Sequence, residues 1–465
     1  MRLPILLLPL LFVTAAGAAT FPREVRQSLQ QAGIPLAAVA VEVREVGKLA
    51  PLVSLNAERA MNPASTMKLL TTYAALDILG PAYTWKTEAW LDGELKDGVL
   101  QGDLVLKGYG DPKFTIEQFW LWLAELRARG LREIRGDLVL DRSFFELPPH
   151  DPAAFDNDPV RAYNVGPDAL LLNFNTLRLR YLPDGDKLNV IAEPPLEGIR
   201  LDNRLTPQPA GGCDGWDDGV IVQPGGDSVV LQGGYPGECG EREHSLSVMP
   251  HTRYVEAVFR ALWKELGGTL RGKQREGVAS ANAQLFSTHR SEPLSSVIRD
   301  INKFSNNVMA RQLFLTLGAN GSASIARSTQ AVSDWLSMRR LDFPELVLEN
   351  GAGLSRKERI SAAHLSQLLQ HAAAHPYSAE LESSLPILGV DGSVKKRLKE
   401  SPAASHAHLK TGTLEGVKTI AGYVRSQGGR EWVVVFFINH PNAKRGQAAQ
   451  DMLIEWVQAR QGASH

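Results

Sequence analysis

The segments with the strongest β-strand character lie at opposite ends of this 465-residue chain. Residues 36–46, LAAVAVEVREV, are apolar and β-branched and predict one strand. Three further β-rich runs come near the end, namely HLKTGTL, KTIAGYVRS and EWVVVFFIN. We therefore expect an antiparallel sheet whose first strand comes from the N-terminal region and whose last three strands come from the C-terminal region. Any such fold has to bring the two ends of the chain together.

The chain between these ends changes its character twice. A helix is predicted at 65–79, with apolar residues on one side, and it is followed by Gly80-Pro81. From about residue 85 to 249, short strand-like runs alternate with Gly, Asp and Pro turns around one helix near 115–129. Helical patterns then return at 251–266, 293–302, 307–318, 327–338, 361–374 and 446–459.

Helices segregated from an antiparallel sheet are typical of an α+β fold. We predict a main domain formed by residues 20–84 and 250–465, interrupted by a large, mostly-β insertion at 85–249. Within the insertion, Gly-Asp-Leu-Val-Leu occurs twice, at 102–106 and 136–140, on either side of the predicted helix. Two copies are too few for a repeat array.

The N-terminus has the three parts of an export signal. Met1-Arg2 precedes an apolar run from residue 3 to 13 and the small residues at 15–19. We expect residues 1–19 to be a signal peptide, with a buried N-terminal strand or helix as the alternative. No later segment has about 18 uninterrupted apolar residues, so we expect no transmembrane anchor after signal cleavage.

The net charge bears on possible binding partners, and the two cysteines bear on a possible disulfide. The net charge is −1 and the pI is near 6.9, so the composition shows no electrostatic sign of nucleic-acid or anionic-membrane binding. Cys213 and Cys239 flank a glycine-rich, strand-like stretch. In an oxidising compartment they can form a disulfide that staples a hairpin; two free buried thiols are the alternative.

Three short motifs lie in an informative order. Ser65-x-x-Lys68 opens a predicted helix, Ser305-x-Asn307 lies between two helices, and Lys410-Thr411-Gly412 lies on a predicted strand. Each motif is weak alone, because Ser393 and Lys396 repeat the first spacing. Their combination is the set found in serine β-lactamases and penicillin-binding proteins.

The chemistry of these motifs is consistent with a serine nucleophile. Positions i and i+3 share a helix face, so Lys68 can reach the hydroxyl of Ser65. Burial beside a second cation lowers the pKa of a lysine and allows it to act as a base. The N–H groups of Ser65 and Thr413 are candidates for an oxyanion hole. The remaining polar groups suit proton relay and carboxylate binding, namely Ser305, Asn307, Lys410, Thr411 and Thr413.

Several segments resemble, in order, those of the low-molecular-mass class C penicillin-binding proteins, the D-alanyl-D-alanine carboxypeptidase/endopeptidases. They are NPASTMKLLTTYAALDILGP, SNNVMARQLF, NGAGLSRKERIS, GVDGSVKKRL and LKTGTLEGVKTIAGYV. The resemblance covers essentially the whole mature chain, including the large β-rich insertion. It implies a transpeptidase-like, serine β-lactamase-like domain with Ser65, Lys68, Ser305, Asn307 and Lys410 as catalytic residues and with Thr411, Gly412 and Thr413 as substrate-binding residues.

The resemblance also implies a substrate and a location. Peptidoglycan stem peptides ending in D-Ala-D-Ala are the expected substrate, β-lactams are expected to acylate Ser65, and no metal or cofactor is implied. The protein is expected to be periplasmic or otherwise exported, and soluble or loosely membrane-associated. Asp158, Tyr163, Arg356 and Glu415 fall where such proteins contact a diaminopimelate-like side chain, although Gln is expected at the position of Glu415. Asp158 has a turn-capping role as its alternative.

Other interpretations of the sequence make different predictions. A serine β-lactamase on the same fold is disfavoured because no Glu-x-x-Leu-Asn segment is present and the middle motif begins with Ser. A catalytically inactive cell-wall-binding protein is disfavoured because all the catalytic positions are filled.

His371 and His375 lack the Glu of a zinc-peptidase motif, so we expect them on a solvated helix face. Ser393 follows a turn and is expected to be an exposed loop serine.

Overall fold

The structure is a computed structural model, which describes residues 21–185, 187–209 and 212–461. The predicted signal peptide at residues 1–19 lies outside the described residues. Across these three described ranges, none of the helices has the length and hydropathy that a bilayer-spanning segment requires.

The α-helices that follow the predicted pattern begin and end within a few residues of the expected positions, and α1 and α9 are additional. The helices are α1 (Arg23–Gln31), α2 (Lys68–Leu79), α3 (Ile116–Ala128), α4 (His251–Glu265), α5 (Leu294–Lys303), α6 (Asn307–Leu317), α7 (Ile325–Met338), α8 (Ala362–Ala373), α9 (Ser378–Ser384) and α10 (Gln447–Gln458).

The strands fall into one group from the chain ends and a larger group from the interior of the sequence. They are β1 (Val39–Glu45), β2 (Val53–Leu55), β3 (Lys86–Lys96), β4 (Val99–Gly108), β5 (Glu133–Ile134), β6 (Leu138–Asp141), β7 (Leu177–Asp184), β8 (Lys187–Glu193), β9 (Arg200–Gln208), β10 (Val220–Pro224), β11 (Ser228–Pro236), β12 (Arg242–Leu246), β13 (Thr269–Leu270), β14 (Gln274–Glu276), β15 (Gln284–Arg290), β16 (Ala407–Leu414), β17 (Val417–Arg425) and β18 (Glu431–Asn439).

The sheet of the main domain joins the two ends of the chain, as the sequence predicts. Its order is β16-β17-β18-β1-β2, and every neighbouring pair is antiparallel. Residues alternate between its two faces: Val434, Phe436 and Ile438 pack with α1 and α10, while Val433 and Val435 pack with the helical cluster. Because both faces are covered, β18 is almost uniformly apolar.

Helix α2 lies at the centre of the helical cluster. All of its residues from Lys68 to Leu76 are buried, although the sequence predicts one apolar side only. The difference arises because α2 is surrounded by the sheet and by other helices, with α6 as a close neighbour. A helix in this position needs apolar residues on all sides.

The insertion is built around a mixed sheet with the path β13-β5-β4-β3-β15 and with β6 bridging β4 and β14. The two copies of Gly-Asp-Leu-Val-Leu pair in register as parallel strands, with Leu104 opposite Leu138 and Leu106 opposite Leu140. Helix α3 forms the connection between them. The repeated Gly-Asp-Leu-Val-Leu segment therefore marks a β-α-β unit.

The predicted C-terminal boundary of the insertion is wrong. Residues after 250 were expected to return to the main domain, but α4 packs with α3 through Tyr254 and Phe259. Strands β13, β14 and β15 then pair with β5, β6 and β3. The insertion therefore continues to about residue 290. The prediction failed because a local helical pattern does not reveal which sheet the helix covers.

A second lobe of the insertion contains two small sheets, β10-β11-β9 and β12-β7-β8, which share one apolar core. Cys213 and Cys239 form a disulfide, as predicted. Cys213 precedes β10 and Cys239 follows β11, so the bridge joins the two ends of the β10–β11 hairpin.

Candidate active site

Ser65 lies in a 3-10 turn, Ala64–Met67, that leads directly into α2. Ala64 has a φ of 45°, in the left-handed region that residues other than glycine rarely adopt. Its N–H donates to Oδ1 of Asn62 at 2.9 Å, and Asn62 is itself held by Asn439 on β18 at 2.8 Å. The turn is therefore fixed to the main sheet, and Ser65 is half-buried at its tip.

Lys68 is fully buried and makes three hydrogen bonds through its amine. Its Nζ lies 3.0 Å from Ser65 Oγ and 2.7 Å from Asn307 Oδ1, and it also donates to the carbonyl oxygen of Ala352. Burial lowers the pKa of Lys68 well below its ordinary value, and the positive charge of Lys410 lowers it further. The arrangement places a lysine that readily loses its proton against the serine hydroxyl.

Lys410 forms the opposite side of the site on β16, the edge strand of the main sheet. Its Nζ donates to Ser305 Oγ at 2.9 Å and to the carbonyl oxygen of Thr411 at 2.7 Å. Burial lowers its pKa to about 7. Ser305, between α5 and α6, has a φ of 58°, which is a second strained position in the site.

Two glycines allow the backbone to approach Ser65 closely. A Cβ on Gly412 would lie 2.8 Å from the backbone nitrogen of Ser65 and 2.3 Å from Thr419 Oγ1. A Cβ on Gly353, which has a φ of +78°, would lie 1.9 Å from the carbonyl oxygen of Ala64. Only glycine fits at these positions, which press β16 and the loop before α8 against the serine turn. We call Ser65, Lys68, Ser305, Asn307 and Lys410 the catalytic cluster.

Of the four residues predicted to contact a substrate side chain, Arg356 and Glu415 lie together. Arg356 donates to the carbonyl oxygen of Glu415 at 3.2 Å, and the two side chains are 3.5 Å apart. The guanidinium lies 4.8 Å from the ring centre of Phe155, which belongs to the insertion. Phe155 packs beside Ala64 and Leu414 and so brings the insertion to the edge of the site.

The other two predicted residues follow Phe155 in the same loop. Asp158 is 2.7 Å from Arg161 Nε, and the hydroxyl of Tyr163 donates to Asp156 Oδ2 at 2.7 Å. Both side chains are also partly exposed. Each therefore combines a local structural partner with access to solvent. We call Asp158, Tyr163, Arg356 and Glu415 the rim.

With this geometry established, sequence comparison identifies the family. The profile of the D-Ala-D-Ala carboxypeptidase 3 (S13) family, Peptidase S13, matches residues 22–460. The chain belongs to this family. The match spans the main domain and the insertion together, so the insertion is part of the family's architecture.

Individual relatives agree with the profile. The chain is 28% identical over 403 residues to the D-alanyl-D-alanine carboxypeptidase DacB of Haemophilus influenzae, covering 83% of this chain and 82% of the relative. It is 29% identical over 398 residues to the D-alanyl-D-alanine carboxypeptidase of Actinomadura sp. strain R39, covering 81% and 73%.

The solved structures of penicillin-binding protein 4 (dacB) from Haemophilus influenzae share the fold. One matches with a TM-score of 0.77 at 25% identity, covering 92% of this chain and 99% of that chain. Another, complexed with a novel β-lactam, matches with a TM-score of 0.73 at 24% identity, covering 93% and 99%. The predicted penicillin-binding fold is therefore confirmed.

Sequence reasoning dismissed one residue that lies beside the predicted substrate-binding residue Thr411. Ser393 is exposed, as predicted, but its hydroxyl lies 2.7 Å from Thr411 Oγ1. Its turn is held by Asp391, which pairs with the buried Lys303 of α5 at 2.7 Å. The turn signal of Asp391-Gly392 was visible in the sequence, but the sequence did not show that this turn faces the edge strand.

Two buried charged residues near Lys68 were also missed. Glu358 is 0% exposed and Arg311, on α6, is 8% exposed. Glu358 lies between Lys357 and Arg359 in a run that has the composition of a solvated loop, so no local signal distinguishes it. Its burial follows from the packing of that loop under α2.

The prediction that His371 and His375 lie on a solvated helix face is wrong. His371 contacts the hydroxyl of Tyr73 on α2, and His375 Nε2 lies 3.0 Å from Asp77 Oδ1. The side chain of His375 is only 12% exposed. Both histidines belong to the packing between α8 and α2, away from the catalytic cluster.

Proposed function

We propose that this chain is a serine D-Ala-D-Ala carboxypeptidase, a D,D-endopeptidase or both, which acts on peptidoglycan stem peptides through an acyl-enzyme on Ser65. The observation that carries the proposal is the buried amine of Lys68, which lies 3.0 Å from Ser65 Oγ and 2.7 Å from Asn307 Oδ1. A nucleophile and a base within hydrogen-bond distance, with a third group orienting the base, form the arrangement expected for covalent catalysis.

In the acylation step, Ser65 Oγ attacks the carbonyl carbon of the penultimate D-Ala while Lys68 accepts the hydroxyl proton. The N–H groups of Ser65 and Thr413 stabilise the developing oxyanion. A proton passes through Ser305 to the leaving amine as the peptide bond breaks, which leaves an ester on Ser65. Water then hydrolyses the ester and regenerates the serine hydroxyl.

The terminal carboxylate of the substrate is bound by Lys410 together with the hydroxyls of Thr411 and Thr413. Lys410 already contacts Ser305 at 2.9 Å, so carboxylate binding and proton delivery share one hydrogen-bond network. Ser393 supports the position of the Thr411 hydroxyl from the other side at 2.7 Å. The same network suits the carboxylate of a penicillin, so we expect β-lactams to acylate Ser65, in keeping with the β-lactam complex of the relative from Haemophilus influenzae.

The rim is proposed to bind the side chain of the stem peptide. A diaminopimelate-like group ends in an ammonium and a carboxylate. Arg356 suits the carboxylate, while Asp158 and Glu415 suit the ammonium. Glu415 is already close to Arg356, so a substrate carboxylate has to compete with it for the guanidinium. Peptidoglycan as substrate, together with the predicted signal peptide, implies an exported protein.

Two measurements on the purified protein test the function. Benzylpenicillin should add its full mass to the intact protein by mass spectrometry, and Ser65→Ala should abolish the adduct. Digestion of cross-linked peptidoglycan should release terminal D-Ala, convert cross-linked dimers to monomers, or do both. Rapid turnover of benzylpenicillin would indicate a β-lactamase, and the absence of both adduct and cleavage would indicate an inactive protein.

A further inference from the structure

Glu358 is a fully buried carboxylate in the loop between α7 and α8, close beneath the catalytic cluster. Its Oε1 accepts three consecutive backbone N–H groups, from Glu349 at 3.1 Å, Asn350 at 2.9 Å and Gly351 at 3.0 Å. Three such donors to one oxygen fix the loop tightly. Burial raises the pKa of Glu358, and these three donors together with the charge of Lys68 oppose that rise by favouring the ionised carboxylate.

The loop that Glu358 holds is in direct contact with the catalytic helix. The carbonyl oxygen of Gly351 accepts the hydroxyl of Thr71 at 2.6 Å, and the next carbonyl, from Ala352, accepts the amine of Lys68. Gly353 then passes against the serine turn. Glu358 therefore acts on Lys68 through a short, hydrogen-bonded backbone segment.

The charges around Lys68 are mostly positive. Lys410 faces it from β16 and Arg311 from α6, and Glu358 is the carboxylate that opposes them. Arg311 also faces Glu358 and Glu349, and its Nη1 donates to the carbonyl oxygen of Val165 at 2.7 Å. Oε2 of Glu358 is buried and has no hydrogen-bond partner among the residues that the structure describes. Because no described donor reaches Oε2, the nearby cations of Lys68 and Arg311 are the groups that stabilise a negative charge on Glu358 against the cost of burial.

We propose that Glu358 is a positioning residue for Lys68, which both holds the Gly351–Ala352 backbone against the lysine amine and supplies the negative charge that opposes the surrounding cations. This inference rests on the proposed role of Lys68 as the base. A base that must accept a proton and later release it works best when its pKa is near the working pH. Burial, Lys410 and Arg311 lower the pKa of Lys68, while Glu358 raises it.

The test is the pH profile of acylation by a fluorescent penicillin. Glu358→Gln keeps an oxygen for the three backbone donors but removes the charge. We expect the acidic midpoint of the profile to move to lower pH by about one unit, the scale of a nearby opposite charge. The plateau rate should fall several-fold, because the base becomes weaker. Glu358→Asp should keep the parent midpoint, since it retains the charge.

Two further variants complete the test. Glu349→Gln is the matched control: its side chain is 42% exposed, so the midpoint should stay close to that of the parent. Arg311→Gln removes a facing cation and should move the midpoint in the opposite direction, to higher pH. This variant gives an independent result if Glu358→Gln does not fold.

An unchanged midpoint in the folded Glu358→Gln variant, or a shift to higher pH, overturns the proposal and leaves Glu358 with a structural role only. An unchanged midpoint in Arg311→Gln likewise overturns it. Ser65→Ala separates this failure from failure of the proposed function. If Ser65→Ala is still labelled by the penicillin, the site assignment itself is wrong. If labelling is lost in Ser65→Ala but the pH midpoints of Glu358→Gln and Arg311→Gln equal that of the parent, only the inference fails.

Discussion

The catalytic cluster and the rim differ in how much water surrounds their charges. Lys68 and Lys410 are 0% exposed and have fixed hydrogen-bond partners, whereas the side chain of Glu415 is 90% exposed and that of Arg356 is 48% exposed. Charges interact strongly where water is excluded and weakly at the surface. We therefore expect changes in the cluster to alter the rate of bond making and breaking, and changes at the rim to alter the choice of substrate.

The strongest test of the cluster is Lys68→Met, which retains an unbranched side chain but removes the amine. We expect acylation by penicillin and peptide cleavage to fall by about 10²- to 10⁴-fold, the contribution typical of a positioned base. The measurement is the second-order acylation rate, with the circular dichroism spectrum as the folding control. A folded variant with the parent rate would show that the buried amine is not the base.

Close packing beside the cluster is tested by Gly353→Ala. The added Cβ would meet the carbonyl oxygen of Ala64 at 1.9 Å, so the serine turn must move, and we expect the acylation rate to fall about 10²-fold. Gly429→Ala is the matched control, because it has a similar φ of +75° but nothing within 4 Å. Equal losses of activity in the two variants would mean that backbone strain, rather than contact with the serine turn, is responsible.

We expect KM for the peptide substrate to depend on pH through the charge of Lys410. Burial lowers its pKa to about 7, so the amine is protonated below that pH and neutral above it. If the charged form binds the substrate carboxylate, KM for a D-Ala-D-Ala peptide should rise by up to about tenfold from pH 6 to pH 8, because roughly a tenth of the charge remains at pH 8. A depsipeptide or thioester analogue without a terminal carboxylate should show no such rise in KM, and a flat KM for the peptide would contradict the assignment.

The smallest effects are expected at the rim. Arg356→Ala and Glu415→Gln should change KM by about two- to fivefold, since exposed ion pairs contribute little. The change should occur for peptides with a charged side chain and be absent for peptides with an uncharged one. Lys357→Ala, whose side chain is 79% exposed, is the neighbouring control. Effects at the rim as large as those in the cluster would remove the distinction between the two regions.

The cluster was accessible to sequence reasoning because its key spacing is local. The Ser65–Lys68 pair depends on the helix period, and the turn and helix that carry it follow from adjacent residues. The motif order then placed Ser305, Asn307 and Lys410 together, and the hydrogen bonds of Lys68 and Lys410 agree with that placement. The rim was harder to predict, because its residues come from three separate loops, namely the loop of Asp158 and Tyr163, the loop of Arg356 and the β16–β17 turn that carries Glu415. These loops meet where Arg356 contacts Glu415 and Phe155.

The sequence by itself determined the antiparallel sheet formed from the two chain ends, the mostly-β insertion and the three motifs, since periodicity, turn residues and motif order depend on neighbouring residues. It left the two cysteines either paired or free, and the structure shows them paired. The tertiary structure alone decided that α4 and β13–β15 belong to the insertion, that Ser393 faces Thr411, and that Glu358 is buried beneath Lys68. The physical reason is that burial and charge environment depend on which distant segments pack together. A glutamate in a polar run therefore looks like a surface residue until the fold encloses it.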